Sequence, residues 1–431
     1  KKQKLRLILT HQMLSNSIVL YKNLQKRYSR RINLDLERIQ KVLASLSFPH
    51  LELENPINIL GSDGKMSTLT SLRYFFEADK KNITAFTSPH LYDVRHRFWL
   101  KNKYITVKEI KKYTKLIEST NLRLTLFELL TCIYILAAKN QKNINYHLVE
   151  AGLLFKKDST NLWTDPKAQI ITNINFQHQD WVKPKTLKEI CRQKLDSLSQ
   201  NTTIYIAKQQ PKTLRIIKKF LKNNKSKQVY ASNFKVKKLK GHYLYQDLEN
   251  RIPIKSKVIH SEGLINNLAL AIKVALDFGV PRKTIIRTIP KIQFEGRIQY
   301  ITKGKFNKLL NLNEKLLIDG CHSIASAKNL YSYLKTLKKP IYGIWGMQKN
   351  KLPNQFIKSF NKIFKKLITV TISNELNALK GDELKKVGKK YTPTSTADGI
   401  QDALRQITSK EDKTIVIFGS LYLVGDFLNK N

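Results

Sequence analysis

Hydrophobic residues alternate along most of the chain between short continuous runs and stretches with helical spacing. The short runs predict buried strands at residues 57–60, 83–87, 146–149, 169–174 and 203–207. The spaced stretches predict helices at residues 34–46, 68–78, 106–118, 124–138, 186–195, 211–221, 264–278 and 282–289. A weakly alternating stretch, 227–247, predicts an antiparallel hairpin region. Strands that alternate with helices in this way predict α/β layers around a mainly parallel sheet.

A short stretch, 290–296, has the composition of a linker, and the alternation restarts after it. Strands are predicted at residues 316–319, 341–345, 367–372 and 414–418, and helices at 324–337, 353–364, 382–389, 397–407 and 421–428. This second series covers about 140 residues, a common domain size. We therefore expect two α/β domains, residues 1–290 and 291–431. A cleft between two such domains is the expected place for a ligand.

The most informative motif lies where the strand at 57–60 ends, and it reads Gly61-Ser62-Asp63-Gly64-Lys65-Met66-Ser67-Thr68. Proteins hold nucleotide phosphates at such a junction because backbone N–H groups of the turn and the helix N-terminus face the phosphates. A lysine there neutralises charge, and a hydroxyl helps to hold magnesium. The common P-loop places the hydroxyl directly after the lysine, whereas Met66 intervenes here. A strand–turn–helix junction without a ligand is the alternative.

This motif makes the first domain a candidate P-loop-type ATPase domain with a mainly parallel sheet. The second domain has no phosphate loop of its own. We expect it to be a smaller, Rossmann-like α/β domain.

The chain has 431 residues, of which 42% are hydrophobic, and this is ample for packed cores. Its formal net charge is +46, from 78 Lys and Arg against 32 Asp and Glu. One interpretation is nucleic-acid binding, since lysines neutralise phosphates. The other is compositional bias, because lysine is spread through the whole chain and no recognition motif accompanies it. We favour bias, so nucleic acid is not an expected partner, although a basic field would still attract small anionic substrates.

Cysteine content and apolar runs bear on the compartment. Cys132, Cys191 and Cys321 show no pair spacing, which favours a reducing cytoplasm over a disulfide framework. We expect them to be small buried apolar residues. No apolar run approaches the roughly 20 residues of a membrane span, and the apolar start at residues 5–9 is too short for a secretory signal. The expectation is a cytoplasmic protein with no membrane partner.

Seven segments, in order, resemble one family, the folylpolyglutamate synthases and dihydrofolate synthases of the Mur ligase superfamily. The phosphate loop is similar to the family's G-T-N-G-K-G-S-T, and Thr87-Ser88-Pro89-His90-Leu91 matches its S-P-H-L. Glu150-Ala151-Gly152 with Asp158-Ser159-Thr160-Asn161 resembles E-V-G-L-G-G-R-x-D-A-T-N. Ile171-Thr172-Asn173-Ile174 with His178 resembles I-T-N-I-x-x-D-H. Gly296-Arg297, Asp319-Gly320-Cys321-His322-Ser323 and residues 419–425 resemble P-G-R, D-G-A-H-N and G-S-L-Y-L-V-G.

The resemblance implies an ATP-dependent ligase that joins L-glutamate to dihydropteroate, to tetrahydrofolate or to both. In the family, the carboxylate of a pteroate or folate attacks the γ-phosphate of ATP and becomes an acyl phosphate. The amine of glutamate then attacks the activated carbonyl. Such a reaction needs neutralised phosphate charge and close alignment more than a strong base. Two magnesium ions and a monomeric state are also implied.

Site residues are carried over from the resemblance one by one. ATP would contact Gly61, Ser62, Asp63, Gly64, Lys65, Ser67, Thr68, Asn267, Arg297 and Asp319. Ser67 and Glu150 would hold the first magnesium ion and His178 the second. The catalytic residues would be Lys65, Lys194 and His322, with Lys194 at the position of a lysine that the family carbamylates. Ser88, Arg97 and His322 would lie on the substrate side, and Asp319 and His322 at the interdomain face.

Several of these residues also have plainer interpretations. Glu150 can be a solvated carboxylate at a strand end, His178 a surface histidine, Lys194 one lysine among many and Arg297 half of a salt bridge. Functional loops depart from the family at Asp63, Met66, residues 154–156 and Gln177. A diverged paralogue that binds nucleotide or folate with weak or no ligase activity is therefore the alternative. The retained candidate residues favour an active enzyme.

Overall fold

The structure, a computed structural model, describes residues 16–29, 33–240, 242–256, 259, 261–373 and 375–431, without the side chain of residue 325. The chain divides into two compact units. The first unit comprises Lys1–Ser256 and Leu264–Ile292, and the second comprises Lys257–Gly263 and Gln293–Asn431. Each unit is built around its own parallel-rich sheet, as the alternating pattern of the sequence predicts.

The α-helices of the described residues alternate with strands along most of the chain. They are α1 (16–27), α2 (Glu37–Ser45), α3 (Lys65–Ala78), α4 (Val107–Glu118), α5 (Leu126–Lys139), α6 (Leu187–Leu195), α7 (Pro211–Leu221), α8 (Glu262–Asp277), α9 (Arg282–Thr288), α10 (Ile324–Leu334), α11 (Pro353–Lys358), α12 (Gly381–Gly388), α13 (Ile400–Ile407) and α14 (Leu421–Lys430). The strands are β1 (Pro56–Leu60), β2 (Ile83–Phe86), β3 (Phe98–Leu100), β4 (Tyr146–Glu150), β5 (Ala168–Ile171), β6 (Thr203–Ile206), β7 (Lys227–Tyr230), β8 (Lys235–Leu239), β9 (His242–Gln246), β10 (Arg251–Ile254), β11 (Gln299–Ile301), β12 (Glu314–Asp319), β13 (Ile341–Trp345), β14 (Lys366–Thr369), β15 (Thr394–Thr396) and β16 (Lys413–Phe418).

The main sheet of the first unit has the strand order β3-β2-β4-β1-β5-β6-β7 among the described residues. All neighbours are parallel except β2 and β3. The central strand β1 is buried at every position and lies between β4 and β5. Its last residues pair Ile59 with Glu150 and Leu60 with Ile171. The carboxyl ends of three parallel strands therefore meet at one edge, where ligands bind in such sheets.

The remaining strands form two further sheets within the described chain. In the first unit, β10, β9 and β8 make a small antiparallel sheet. In the second unit the order is β11-β12-β16-β13-β14-β15, and only the β11–β12 pair is antiparallel. The central strands β13 and β16 are buried throughout, because helices follow the strands and cover the sheet.

Helix α5, predicted at residues 124–138, is almost entirely buried. All but two of its residues are buried. Thr125 caps it and forms a capping box with Glu128. The Glu128 carboxylate is also buried, and Arg38 of α2 pairs with it at 2.6 Å. A buried carboxylate is therefore satisfied by a cap and an ion pair rather than by solvent.

Most predicted elements are confirmed, and the differences have local causes. Residues 227–247 form only part of the expected hairpin, because β7 joins the main sheet beside β6 and the antiparallel pair is β8 with β9. Four short strands, β3, β10, β11 and β15, and helix α1 are not predicted by the hydrophobic pattern. Helix α13 begins at Ile400 rather than Ala397, since the Ala397 N–H bonds to the Thr369 carbonyl beside the sheet.

The three cysteines are buried thiols, as expected. No helix in the described part of the chain combines the length and the apolarity needed to cross a bilayer.

Candidate functional site

The phosphate loop, Gly61 to Gly64, joins β1 to α3 through two glycines with positive φ. Gly61 has φ of 143°, and a Cβ atom there would lie 2.1 Å from the Thr172 hydroxyl oxygen. Gly64 has φ of 93° and precedes the first residue of α3. Only glycine meets both demands without strain. The loop therefore turns directly into a helix N-terminus, where unpaired backbone N–H groups favour anions.

Lys65 and Met66 lie in α3, because the helix begins three residues before the predicted start at Thr68. The Lys65 amine is buried and donates to the carbonyls of Gly61 (3.3 Å) and Ser62 (3.5 Å). The Lys65 side chain thus folds back over the phosphate loop, where its charge would neutralise bound phosphates. Met66 has ordinary helical backbone angles, so the side chain in place of glycine imposes no backbone strain.

Ser67 and Asn267 fix the first turn of α3. Asn267 of α8 donates from Nδ2 to the Ser67 hydroxyl at 2.8 Å, and that hydroxyl lies 3.1 Å from the Gly64 carbonyl. Asn267 also packs on Gly64, where a Cβ atom would lie 2.5 Å from its Oδ1. Thr68 is fully buried, and its hydroxyl has no hydrogen-bond partner among the described residues. Asn267, expected from the sequence to contact ATP, thus lies against the phosphate loop, and its contact with ATP stays a prediction.

Glu150 ends β4 beside the phosphate loop, and it is not the solvated carboxylate of the plainer interpretation. Its side chain is buried, and burial raises its pKa to about 7 against the opposing charges of Lys65 and Arg97. The Ser88 N–H donates to its Oε2 at 3.1 Å. The Ser88 hydroxyl is buried and has no partner among the described residues. Ser88, predicted on the substrate side, therefore lies against Glu150.

Arg97 and His178 lie on the neighbouring loops. Arg97 is buried, and its Nε donates to Nδ1 of His90 at 2.8 Å. His178 has a left-handed backbone and precedes a short 3-10 turn, Gln179–Trp181, in the loop after β5. This loop contacts the phosphate loop through Gln177, directly before His178. His178 is thus one residue away from a direct contact with the phosphate loop. Metal binding by His178 stays a prediction.

Lys194 of α6 is fully buried, and its side chain reaches the phosphate loop. Its amine donates to the carbonyls of Gly61 (2.9 Å) and Leu153 (2.6 Å). Burial, together with the nearby charge of Lys65, lowers its pKa to about 7. A neutral amine is the form that reacts with carbon dioxide, so the environment suits the predicted carbamylation. The modification itself stays a prediction.

Residues after β5 hold the phosphate loop, a role that the sequence pattern does not predict. The N–H groups of Ser62 and Asp63 donate to the Asn173 carbonyl at 2.8 and 3.2 Å. The side chains of Asn175 and Gln177 donate to the Asp63 carboxylate. No local sequence signal indicates this role, because it depends on β5 pairing with β1 in the folded sheet.

The departure at residues 154–156 is also explained within the first unit. Leu154 and Phe155 are buried in a cluster with Ile190 and Cys191 of α6. They therefore extend the core at a point where the family has glycines.

In the second unit, Asp319 ends β12 and is fully buried. Its oxygens accept N–H bonds from Ile298 (2.9 Å) and Cys321 (2.8 Å), and Arg297 lies 3.7 Å away. Burial raises the pKa of Asp319, and the charge of Arg297 opposes this shift. His322 follows, and its Nδ1 lies 3.0 Å from the Gly320 carbonyl. The structure thus brings together three of the residues predicted in this unit.

The chemistry of these side chains fits a magnesium ion held jointly with phosphate. No group of three His, Cys, Asp or Glu side chains with metal-binding geometry occurs among the described residues. Magnesium is commonly held by one or two carboxylates together with substrate phosphates and water, so such a group is not required. The Glu150 carboxylate accepts the Ser88 N–H, and the buried Ser88 hydroxyl has no partner among the described residues, so both side chains have oxygens to offer such an ion. Ser67, the other predicted ligand, has its hydroxyl engaged by Asn267.

The first unit carries a phosphate loop at the carboxyl edge of a parallel-rich sheet, and a second parallel-rich α/β unit follows it; this is the class of fold of two-domain α/β enzymes that bind nucleotides. A family model described as dihydrofolate synthetase, C-terminal domain, matches residues 302–430. The dihydrofolate synthetase of Saccharomyces cerevisiae is 24% identical over 92% of this chain and 97% of its own length. Over nearly its whole length, the chain is therefore similar to dihydrofolate synthetases and folylpolyglutamate synthases, at low sequence identity.

Solved structures show the same likeness at the level of the fold. Escherichia coli FolC in complex with DHPP and ADP has a TM-score of 0.82 and 18% identity, covering 96% of this chain and 98% of that chain. The bifunctional enzyme of Yersinia pestis, complexed with AMPPNP and a Mn ion, has a TM-score of 0.81 and 18% identity. That match covers 95% of this chain and 96% of that chain. The predicted two-domain α/β class is therefore confirmed.

Proposed function

We propose that this protein is an ATP-dependent ligase that joins L-glutamate to a folate-type carboxylate. The observation that carries the proposal is the convergence of Lys65, Ser67 and Glu150 at the carboxyl ends of adjacent parallel strands. Relatives that align over nearly the whole chain carry the same activity in their names. ATP and a divalent metal ion are the proposed co-substrate and cofactor.

The reaction proceeds in two balanced steps. A carboxylate oxygen forms a bond to the γ-phosphorus of ATP while the bond to the β,γ-bridging oxygen breaks, giving an acyl phosphate and ADP. The glutamate amine then attacks the carbonyl carbon, phosphate leaves with the original carboxylate oxygen, and the amine loses a proton. A bound magnesium ion would neutralise phosphate charge during the first step.

The residues of the first unit are suited to hold the phosphates. The helix N-terminus at Lys65 and the Lys65 amine together provide positive charge next to the loop. Glu150 and Ser88 supply oxygens for the metal ion. We propose that the tie from Asn267 through Ser67 to Gly64 keeps this turn in place before ATP arrives.

In the second unit, we propose that Arg297, Asp319 and His322 serve ATP and the incoming glutamate. Two backbone N–H bonds and the ion pair with Arg297 fix the Asp319 carboxylate. A carboxylate that is held in this way can orient a nearby cation or amine. The assignment of residues 1–290 to ATP binding and 291–431 to glutamate ligation is likewise a proposal.

The names of the relatives favour dihydropteroate as the main acceptor. Both the family model for residues 302–430 and the yeast relative are described as dihydrofolate synthetase. Extension of tetrahydrofolate is the second candidate, because the Yersinia pestis enzyme is described as bifunctional. We further propose a monomer in the cytoplasm, with no nucleic-acid partner.

A phosphate-release assay tests the proposal. The purified protein should release phosphate from MgATP only when dihydropteroate or tetrahydrofolate and glutamate are both present. Lys65→Ala should lower kcat/KM by at least about 100-fold, because it removes the charge that balances the phosphates. Lys108→Ala, at an exposed position of α4, is the matched control and should be unchanged.

Two outcomes would contradict the ligase. Normal turnover in Lys65→Ala would mean that the loop does not serve ATP. ATP-induced thermal stabilisation without any product would favour the diverged binding protein instead.

A further inference from the structure

The phosphate loop is tied to the loop that follows β5, here called the β5 loop and defined as residues 172–178. The N–H groups of Ser62 and Asp63 both donate to the Asn173 carbonyl. The Ser62 hydroxyl accepts the Asn175 N–H at 3.2 Å. These bonds align the two loops along the backbone. They do not by themselves fix the side of the β5 loop that carries His178.

The Asp63 side chain links the phosphate loop to the part of the β5 loop that precedes His178. Its Oδ2 accepts the Asn175 amide at 2.6 Å, and the Gln177 amide lies 3.2 Å from Oδ2 and 3.3 Å from Oδ1. An ionised carboxylate only accepts hydrogen bonds, and here the Asp63 carboxylate accepts from the side-chain amides of both Asn175 and Gln177. Hydrogen bonds to a charged acceptor are roughly twice as strong as neutral ones.

The direction of this carboxylate matters for nucleotide binding. An anionic side chain in a phosphate loop would repel the phosphates if its oxygens faced them. Here both oxygens accept amides of the β5 loop, so the charge is engaged on that side. Asp63 is thereby suited to hold the loop rather than to contact ATP.

We propose that Asp63 is a positioning residue, which couples the phosphate loop to the His178-bearing β5 loop through Asn175 and Gln177. Gln177 directly precedes His178, so a shift of the Gln177 amide displaces the histidine. The consequence for catalysis rests on the proposed function, because it assumes that the phosphate loop binds ATP. The coupling itself is a property of the first unit without any ligand.

An exchange of donor and acceptor tests the coupling. Asp63→Asn removes the negative charge, so the hydrogen bonds to Asn175 and Gln177 become neutral and weaker, and the Gln177 amide must turn over to accept from the new amide. Gln177→Glu places two carboxylates against each other. Each single variant therefore weakens the coupling. In the double variant, the amide introduced at position 63 can accept from Asn175 through its oxygen. Its nitrogen can donate to the carboxylate introduced at position 177, so the pair is restored with the polarity reversed.

The first readout is amide hydrogen exchange of the nucleotide-free protein. The N–H groups of residues 62, 63 and 175 should exchange about tenfold faster in each single variant, as expected for loss of a charged hydrogen bond. The double variant should return to within about twofold of the original protein. Asp180→Asn makes the same substitution at an exposed carboxylate of the neighbouring 3-10 turn and should leave these rates unchanged.

The second readout is the equilibrium Kd for ADP, measured with and without magnesium ions. The single variants should raise the Kd for MgADP about tenfold, and the double variant should reverse this loss. The KM for glutamate should stay unchanged. This split separates positioning of the nucleotide loops from general destabilisation, which would affect all substrates together.

The outcomes separate this proposal from the proposed function. Additive losses in the double variant, or Asp63→Asn with the exchange rates of the original protein, would overturn the coupling. If the exchange cycle shows restoration but no variant binds ADP, the coupling stands and the assignment of ATP binding fails.

Discussion

Gly64 shows how a single residue sets the shape of the nucleotide loop. Its φ of 93° and the closeness of Asn267 to its Cα both exclude a side chain. Gly279 has a similar φ of 81°, but a Cβ atom there would meet nothing within 4 Å. A substitution at Gly279 therefore tests backbone strain alone, whereas a substitution at Gly64 tests backbone strain together with the clash against Asn267.

We predict that Gly279→Ala lowers the free energy of unfolding by about 1 kcal/mol, the cost of a left-handed backbone. Gly64→Ala should lower it by about 3 kcal/mol, since the methyl group also displaces Asn267 from Ser67. Urea unfolding of both variants measures the difference. Equal losses would show that the contact between Asn267 and Gly64 contributes nothing to stability.

At the scale of elements, a buried polar cluster joins β2, α5 and β4. The Thr84 hydroxyl lies 2.8 Å from the Tyr134 hydroxyl and 2.7 Å from Nδ1 of His147. Burial lowers the pKa of His147 to about 4. The folded protein thus keeps this histidine neutral at a pH where the unfolded chain, with an ordinary pKa near 6.5, binds a proton.

The pH dependence of stability follows from this shift. The unfolded chain binds more protons between pH 6.5 and pH 4, so the contribution of His147 to stability is lost as the pH falls through this window. The loss should reach about 3 kcal/mol near pH 4. His147→Asn removes the titrating group, so the difference between the two unfolding free energies isolates it. Parallel curves for the two proteins would contradict the prediction.

The elements with a regular hydrophobic period could be predicted from the sequence, and the short ones could not. Strands β1, β4, β5 and β6 are mainly apolar and almost entirely buried, because both faces of the sheet are covered. Strands β3 and β15 span three residues each, which is too short for a period to appear. They form because an existing sheet edge offers hydrogen bonds, and this is a tertiary effect.

The candidate site shows the same division. Lys65 and Ser67 lie in the first turn of α3 and Glu150 ends β4, so their placement follows from the order of elements. The contacts of Asp63 with Asn175 and Gln177 join residues more than 110 positions apart. They depend on β5 lying next to β1, and the order of strands in the sheet is not written in the local pattern of either segment.

At the scale of the whole molecule, two units each supply a group of candidate residues, and the chain carries a net charge of +46. The positive field would attract anionic substrates such as ATP, folates and glutamate, so the charge does not by itself require a nucleic-acid partner. In the proposed reaction, ATP transfers its γ-phosphoryl group to the carboxylate of the folate-type acid. The central claim is therefore that the acid is activated as an acyl phosphate before the amine attacks.

Transfer of labelled oxygen tests this claim most directly. Dihydropteroate carrying ¹⁸O in its carboxylate is incubated with MgATP, glutamate and the protein, and the released phosphate is analysed by mass spectrometry. The account predicts one ¹⁸O atom in each phosphate from doubly labelled acid, since the attacking carboxylate oxygen leaves with phosphorus. Phosphate without label, at a rate equal to glutamate incorporation, would contradict it.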